Sequence, residues 1–278
     1  MSAATIGPGA GARSTRGEEV RRFARLMYTL AITEWKLRFF GSALGYFWTL
    51  ARPLMFFGVL YVVFSQVADI GSEIEYYPVY LLTGIVLFGF FSEGTGNAVT
   101  SLVERETLLR KVRFPRMVVP LSVVLTALFN LGMNLVAVCV FLLASGITPM
   151  VSWLEMPILV AILVALTTGL ALLLAPAYVR FRDVSPIWDV VSQMLFYGSP
   201  IFYTVAMYGE FSEWMARTPL PALLTEMRHA LIDPDAPSAA EAAGGAVWLL
   251  LPLGITGAIL VAGILLFRRA APRLAERL

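Results

Sequence analysis

The sequence has little charge, two lysines, one cysteine and one histidine. Only 14% of its 278 residues are charged and 58% are hydrophobic, whereas about 25% charged residues is usual in soluble domains. One cysteine, Cys139, excludes an intramolecular disulfide framework. The single histidine, His229, has no cysteine near it and therefore predicts no zinc site. This composition indicates an integral membrane protein.

Catalytic and nucleotide-binding motifs are also missing from the sequence. Lys36 and Lys111 follow Trp35 and Arg110, so no G-x-x-x-x-G-K-[ST] phosphate-binding loop occurs. We therefore expect no cofactor or metal on this chain. A net charge of +2 gives no general case for nucleic-acid binding. The scarcity of ionisable residues in the apolar runs argues against a carrier driven by protons or sodium.

Six apolar stretches near 20 residues predict an all-α membrane protein with six transmembrane helices, and an even number places both termini on one side. The predicted spans are 43–66, 78–101, 117–145, 153–178, 188–203 and 247–267. Residues 1–19 are expected to be a disordered cytoplasmic N-terminus without the pattern of a cleavable signal peptide. Residues 20–278 are expected to form a single transmembrane domain.

The basic residues predict the orientation of these spans. Eighteen of the 21 Lys and Arg residues lie before the first span, after the second and fourth spans, or after the last. Lys and Arg are retained on the cytoplasmic side, so both termini are predicted to be cytoplasmic and residues 204–246 external. Basic, apolar and aromatic residues alternate at helical spacing over 20–40, which predicts an amphipathic helix in the cytoplasmic membrane interface.

The far end of the fifth predicted span is interrupted by Gly198 and Pro200 among four aromatic residues, in "FYGSPIFY" at 196–203. Such breaks at membrane depth are tolerated where the backbone is buried in protein or faces water, so this one predicts a turn lining a pathway. The following external segment, 204–246, is too apolar for a free loop and too interrupted to span. It predicts short re-entrant helices in the outer leaflet.

Arg52 and Glu93 are charged residues inside the first two predicted spans. Charge at this depth requires a partner or a wet pathway. Three interpretations stay open: Arg52 pairs with Glu93, its side chain extends to the cytoplasmic headgroups, or it faces an anionic substrate head. The "GSALG" motif at 41–45 is by itself weak evidence for close helix packing.

Five stretches carry a resemblance to a known family, over about residues 20–278. They are "GSALGYFWTLARP", "LLRKVRFPRMVVPLS", "YVRFRDVSPIWDVVSQMLFYGSPIFY", "PLPALLTEMRHAL" and "FRRAAPRLAERL". The chain resembles the membrane-spanning permease subunit of ABC type-2 exporters, in the branch that exports lipid-linked polysaccharides such as O-antigen, teichoic acid and galactan. Thr218-Pro219 replaces the more usual Asn-Pro of the family, so no Asn-dependent contact is carried over.

The resemblance implies a homodimer of permease subunits with two copies of a cytoplasmic ATP-binding subunit, which would hold ATP and magnesium. It places an ATPase-coupling helix in the loop after the second span, whose alternating charges around two leucines also suit docking in a groove. The implied coupling residues are Glu104, Arg105, Leu108, Leu109, Arg110, Lys111 and Arg113. The implied cytoplasmic gate or second ATPase contact consists of Arg180, Arg182 and Asp183. The segment 204–240 resembles the external gate helices of the family.

The function expected from these features is ATP-driven export of a lipid-linked polysaccharide across a bacterial cytoplasmic membrane. The chain is expected to be a multi-pass subunit in contact with membrane lipid, and no nucleic-acid partner is expected. Aromatic rings suit such a path because sugars stack their C–H faces on them. The expected path residues are Tyr76, Tyr77, Tyr80, Phe196, Tyr197, Phe202 and Tyr203, with Arg38 and Arg52 near the cytoplasmic face.

Three alternatives remain from the sequence. The first is an ABC exporter of a drug or small lipid. The second is a membrane-embedded transferase acting on lipid-linked sugars, for which Asp69, Glu73 and Glu75 are the nearest acidic trio. The third is a membrane scaffold that transports nothing, which leaves the Gly-Pro break among aromatics unexplained.

Overall fold

The computed structural model describes residues 16–39, 45, 47–68, 71, 74–111 and 114–277, and over these residues all regular structure is helical. Most of the predicted disordered segment 1–19 lies outside the described residues. So do Asp69, Glu73 and Arg113, and most of the "GSALG" motif.

The helices follow one another in chain order. They are α1 (Arg16–Phe39), α2 (Phe47–Val62), α3 (Tyr77–Glu104), α4 (Glu106–Lys111), α5 (Val118–Ala144), α6 (Met156–Arg180), α7 (Val184–Gly198), α8 (Ser212–Ala216), α9 (Pro219–Leu231), α10 (Ala239–Ala242) and α11 (Leu250–Arg277). A π-helical turn, Val63–Val67, extends α2, and 3₁₀ turns lie at Val151–Glu155, Val205–Phe211 and Ala246–Leu249.

Five helical stretches of the described residues are long and apolar enough to cross a membrane, so this is a multi-pass membrane protein. They are Phe47–Val67, Tyr77–Glu104, Val118–Ala144, Val151–Arg180 and Ala246–Pro272. Each overlaps one predicted span. The remaining predicted span, the fifth at 188–203, corresponds to α7, which has only 15 residues and ends at Gly198. A sixth complete crossing therefore stays a prediction.

Helix α3 forms the centre of the bundle, because it packs against α5 on one side and α6 on the other and is mostly buried. Helix α6 packs in turn against α11. This last contact brings two glycines together: a Cβ on Gly169 would lie 2.8 Å from the backbone N and Cα of Leu260, and a Cβ on Gly263 would meet the backbone of Gly169. The absence of both side chains lets the two backbones approach closely.

Helix α1, predicted over 20–40, packs one face on α5. The rings of Tyr28 and Trp35 meet that of Phe129 edge to face, with centroids 6.2 and 6.1 Å apart. The hydroxyl of Thr126 donates to the carbonyl of Ala31, which is fully buried. The apolar side of α1 is thus covered in part by protein.

We expect Gly169→Ala to lower the stability of the protein by about 1–3 kcal/mol, because the new methyl group pushes α11 away from α6. Thermal unfolding of the purified protein in detergent measures the effect. Gly257→Ala is the matched control, since a Cβ there has no heavy atom within 4 Å. Equal unfolding midpoints for the two variants would contradict the close α6–α11 contact.

Candidate functional site

A cleft of about 1120 Å³ opens between α2, α3, α5 and α7. Each helix contributes a stripe of residues three or four positions apart, because such residues share one helical face. The stripes include Thr49, Arg52 and Phe56 of α2; Gly89, Glu93 and Asn97 of α3; Asn130 and Asn134 of α5; and Asp189, Gln193 and Phe196 of α7. Charged and amide side chains thus face the same space as aromatic rings, within helices that are otherwise apolar.

The carboxylate of Glu93 is the most heavily bonded group of the cleft. It forms an ion pair with Arg38 of α1. The amide nitrogen of Asn130 donates to both carboxylate oxygens, at 2.9 and 3.1 Å, and the indole N–H of Trp35 donates to the amide oxygen of Asn130 at 2.9 Å. This network satisfies a charge located three helical turns before the end of α3.

Arg52 does not take part in the network. One interpretation left open by the sequence, a pair between Arg52 and Glu93, is wrong, because Arg38 pairs with Glu93 instead. Arg52 forms no ion pair with any residue in the described part of the chain. Its side chain is exposed in the wall of the cleft.

A second ion pair connects α1 to the C-terminal end of α3. Arg105, the residue between α3 and α4, pairs with Glu34 and donates to the carbonyl of Val119 at 3.4 Å. Burial lowers the pKa of its guanidinium to about 10, so the group is still charged at neutral pH. Arg105 therefore braces three helices, and most of its side chain is not available to a partner protein.

The other predicted coupling residues lie on or beside α4. Leu109 packs against the small hydrophobic core around Leu102 and Val119, and Leu108 is half-buried. Glu104, Arg110 and Lys111 are exposed, and Arg110 pairs with Glu106 at 2.7 Å, one turn earlier. The apolar side of α4 therefore holds the helix in place while its basic side faces outward.

The predicted cytoplasmic gate residues lie in the short connection between α6 and α7. Arg180 lies over the ring of Phe181, with its guanidinium carbon 5.1 Å from the centroid, and Arg182 lies 4.9 Å from the centroid of Tyr178. Asp183 precedes α7, and all three charged side chains are exposed. The structure thus places them together at one end of the bundle, facing outward.

The Gly198–Pro200 break ends α7, and tyrosine hydroxyls bond its carbonyls. Tyr80 of α3 donates to the carbonyls of Pro200 and Tyr203, the latter at 2.8 Å. Tyr203 donates to the carbonyl of Tyr197, and Tyr208 to that of Gly198 at 2.7 Å. Burial and the hydrogen bond to Tyr203 raise the pKa of the Tyr208 phenol, so it remains a donor at neutral pH.

The segment 204–246 packs onto the membrane helices through α9, which contacts α6, α11 and α3. Five of its buried side chains are Leu220, Leu223, Leu224, Met227 and Leu231. On α9, Arg228 lies 5.2 Å from the ring centroid of Tyr80 and 3.5 Å from the carboxylate of Asp233. Tyr80 thereby touches both the α7 break and α9.

A buried arginine organises the rest of the segment 204–246. Arg217 pairs with Glu213 at 2.6 Å, donates to the carbonyl of Ala243 at 3.0 Å, and lies 3.9 Å from the ring centroid of Trp248. These contacts join α8 to the stretch before α11. The single histidine, His229, lies 2.8 Å from the carbonyl of Ala236 through its Nδ1, a structural contact within the segment.

The structure separates the predicted path residues into two groups. Tyr77, Tyr80 and Phe202 are buried in the chain's own core, and Tyr203 is half-buried with its hydroxyl bonded to the α7 break. Phe196 lines the cleft and Tyr197 beside it is 55% exposed. Tyr76 is exposed at the start of α3, and Arg38 and Arg52 both line the cleft.

Several residues of the cleft were not identified from the sequence. They are Asn97, Asn130, Asn134, Asp189 and Gln193, and Trp35, which donates to Asn130, was not identified as part of the network either. Their signal is a pair of polar residues four positions apart inside an apolar run, such as Asn130 and Asn134, or Asp189 and Gln193. Such a spacing places both side chains on one helical face.

The chain belongs to the ABC-2 type transporter family, whose model matches residues 25–225. Two curated relatives indicate which branch of this family the chain is similar to. The chain is 28% identical to the O-antigen export system permease protein RfbA of Klebsiella pneumoniae over 210 residues, which are 75% of this chain and 80% of the relative. It is 29% identical to the protein of the same name from Myxococcus xanthus over 224 residues, covering 80% and 85% of the two chains.

Tyr80→Phe is expected to loosen the α7 break at a cost of about 1–3 kcal/mol, because it removes the donor to two carbonyls and keeps the ring beside Arg228. Hydrogen exchange over residues 199–204 should accelerate and the thermal midpoint should fall. Tyr178→Phe is the control, since its hydroxyl has no hydrogen-bond partner among the described residues. Unchanged exchange in Tyr80→Phe would mean that the hydroxyl does not hold the break.

Proposed function

We propose that this chain is the membrane-spanning subunit of an ATP-driven exporter, which moves a lipid-linked polysaccharide across the bacterial cytoplasmic membrane. The observation that carries the proposal is the open cleft, in which aromatic rings and hydrogen-bonding side chains share one wall at membrane depth. Aromatic faces suit the C–H surfaces of sugars, and amides suit their hydroxyls. The O-antigen exporters among the relatives agree with this substrate class.

A second copy of the chain is proposed to close the cleft. Helix α2 is almost entirely unburied, and Arg52, Asp189 and Gln193 are exposed on the open side. Polar side chains at this depth face protein or water rather than lipid. A homodimer with the two clefts turned toward each other provides a wet pathway for the substrate.

ATP is hydrolysed by a separate subunit, as family membership implies. We propose two copies of it, holding ATP and magnesium, docked at α4 and at the Arg180–Asp183 connection. The exposed basic side of α4 suits an acidic groove, while Leu109 ties α4 to the helix bundle. Both termini are then cytoplasmic, and α9 with its neighbours is an external gate over a sixth crossing that includes α7.

Within one domain spanning 20–278, Phe196, Tyr197 and the exposed Tyr76 are the proposed aromatic surface of the path. The more deeply buried Tyr77, Tyr80 and Phe202, with Tyr203, support that surface from behind. The proposed glycan class includes O-antigen, teichoic acid and galactan.

Tyr197→Ala is expected to reduce export at least severalfold, because it removes an exposed ring from the path while the ATPase contacts stay intact. Cells that depend on this chain should then show less surface polysaccharide and retain lipid-linked polysaccharide inside, with ATP hydrolysis by the complex preserved. Phe211→Ala, an exposed aromatic outside the cleft, is the control. If deleting the whole chain left surface polysaccharide normal and lowered drug resistance, the drug-exporter alternative would replace this function.

The double variant Arg110→Glu/Lys111→Glu is expected to weaken association with the ATPase subunit about tenfold or more, because it reverses the charge of the exposed side of α4. Copurification and affinity measurements with the ATPase subunit test this. Arg21→Glu/Arg22→Glu makes the same charge change on the exposed start of α1 and should bind normally. Normal binding by both variants would exclude α4 as the docking helix.

A further inference from the structure

Arg52 is the one cation of the described cleft that has no ion-pair partner among the described residues. The charged groups facing the cleft are Arg38 of α1, Arg52 of α2, Glu93 of α3 and Asp189 of α7. Arg38 is committed to Glu93, whose oxygens also accept both bonds from Asn130. An incoming anion therefore meets a neutralised pair on one side and a free guanidinium on the other.

The wall around Arg52 contains a further polar group in need of a partner. The hydroxyl oxygen of Thr49, one helical turn before Arg52, is buried and has no hydrogen-bond partner in the described part of the chain. Buried hydroxyls are normally bonded to protein or to a bound molecule. Thr49 lines the same cleft, so its hydroxyl and the Arg52 guanidinium are donors on one face of α2.

Pro53 increases the polarity of this part of the wall. Proline has no N–H, so within α2 it gives no hydrogen bond to the carbonyl four positions earlier, which belongs to Thr49. Arg52 begins the second turn of α2, roughly 8 Å from the first residue of the helix at 1.5 Å per residue. A guanidinium at such a depth characteristically marks a substrate pathway.

We propose that Arg52, assisted by the Thr49 hydroxyl, binds the diphosphate group of a polyprenyl-diphosphate-linked glycan in the cytoplasmic third of the cleft. This inference rests on the proposed function and specifies its substrate contact. The planar guanidinium offers paired N–H donors that match phosphate oxygens. Arg38 is instead a positioning residue that fixes α1 to the cleft wall. Asp189 opposes the bound anion from α7.

The test is equilibrium binding of geranylgeranyl diphosphate to the permease–ATPase complex in nanodiscs of neutral lipid. Arg52→Gln is expected to weaken binding about tenfold or more, and Arg52→Lys less, because lysine keeps the charge and loses the paired donors. Asp189→Asn should tighten binding, by about twofold or more, since it removes an opposing charge. Geranylgeraniol, which has no phosphate, should bind wild type and Arg52→Gln alike.

Lys36→Gln removes an exposed cation of α1 that does not line the cleft, and it should change diphosphate affinity by less than about threefold. A loss as large as that of Arg52→Gln would overturn the assignment to Arg52. Thermal unfolding of each variant identifies any that fails to fold. Arg52→Lys, which keeps the charge and most of the side chain, then provides the decisive comparison.

Nanodiscs containing phosphatidylglycerol distinguish the lipid-linked substrate from an ordinary phospholipid headgroup. The proposal expects the prenyl diphosphate to compete well against this lipid. Complete displacement by phosphatidylglycerol would overturn the proposal in favour of a headgroup site. If the Arg52 variants bound the diphosphate as tightly as the wild type while polysaccharide export stayed intact, this proposal would be overturned and the proposed function would stand. Failure of the proposed function itself would be seen in a separate experiment: cells that lack the chain would still carry normal surface polysaccharide.

Discussion

The carboxylate of Glu93 imposes the constraint on which the cleft depends. It lies within a membrane-spanning helix, where an unpaired charge costs several kcal/mol. Its partners come from two other helices, since Arg38 belongs to α1 and Asn130 to α5. The arrangement of α1, α3 and α5 on this side of the bundle is therefore the arrangement that satisfies one carboxylate. The polar wall of the cleft follows from it.

The same constraint explains why α1 is docked rather than free in the membrane interface. Glu34 and Arg38 are four residues apart, so they lie on one face of α1 and pair with Arg105 and Glu93. Between them, Trp35 donates to Asn130 and packs on Phe129. Polar pairing sets the position of α1 along the bundle, while aromatic packing covers its apolar face. Since Arg105 immediately precedes α4, the docking of α1 and the base of α4 depend on one side chain.

The sequence predicted the features that depend on local composition. Apolar runs located five helices long enough to cross a membrane, and alternating basic and aromatic residues located α1. The long-range ion pair could not be predicted, because Arg38 and Arg52 are both basic residues close to the start of the first predicted span. Only the packing of α1 on α5 selects Arg38 for Glu93. Both ends of α7 were predicted too late in the chain: the helix begins at Val184, and the apolar residues after Gly198 belong to the break and not to the helix.

The aromatic cluster around Gly198–Pro200 shows a similar limit of composition. The aromatic residues at the break predicted a pathway. In the structure, tyrosine occupies the positions where a carbonyl needs a hydrogen-bond donor, and phenylalanine occupies positions that only pack. Tyr80, Tyr203 and Tyr208 each donate to a carbonyl released where α7 ends. Phe196 and Phe202 pack against other rings, with centroids 5.0 Å apart. Carbonyls at the end of a helix require donors, and the tyrosine hydroxyls provide them where the chain turns. Phenylalanine occupies the positions where only apolar contact is made.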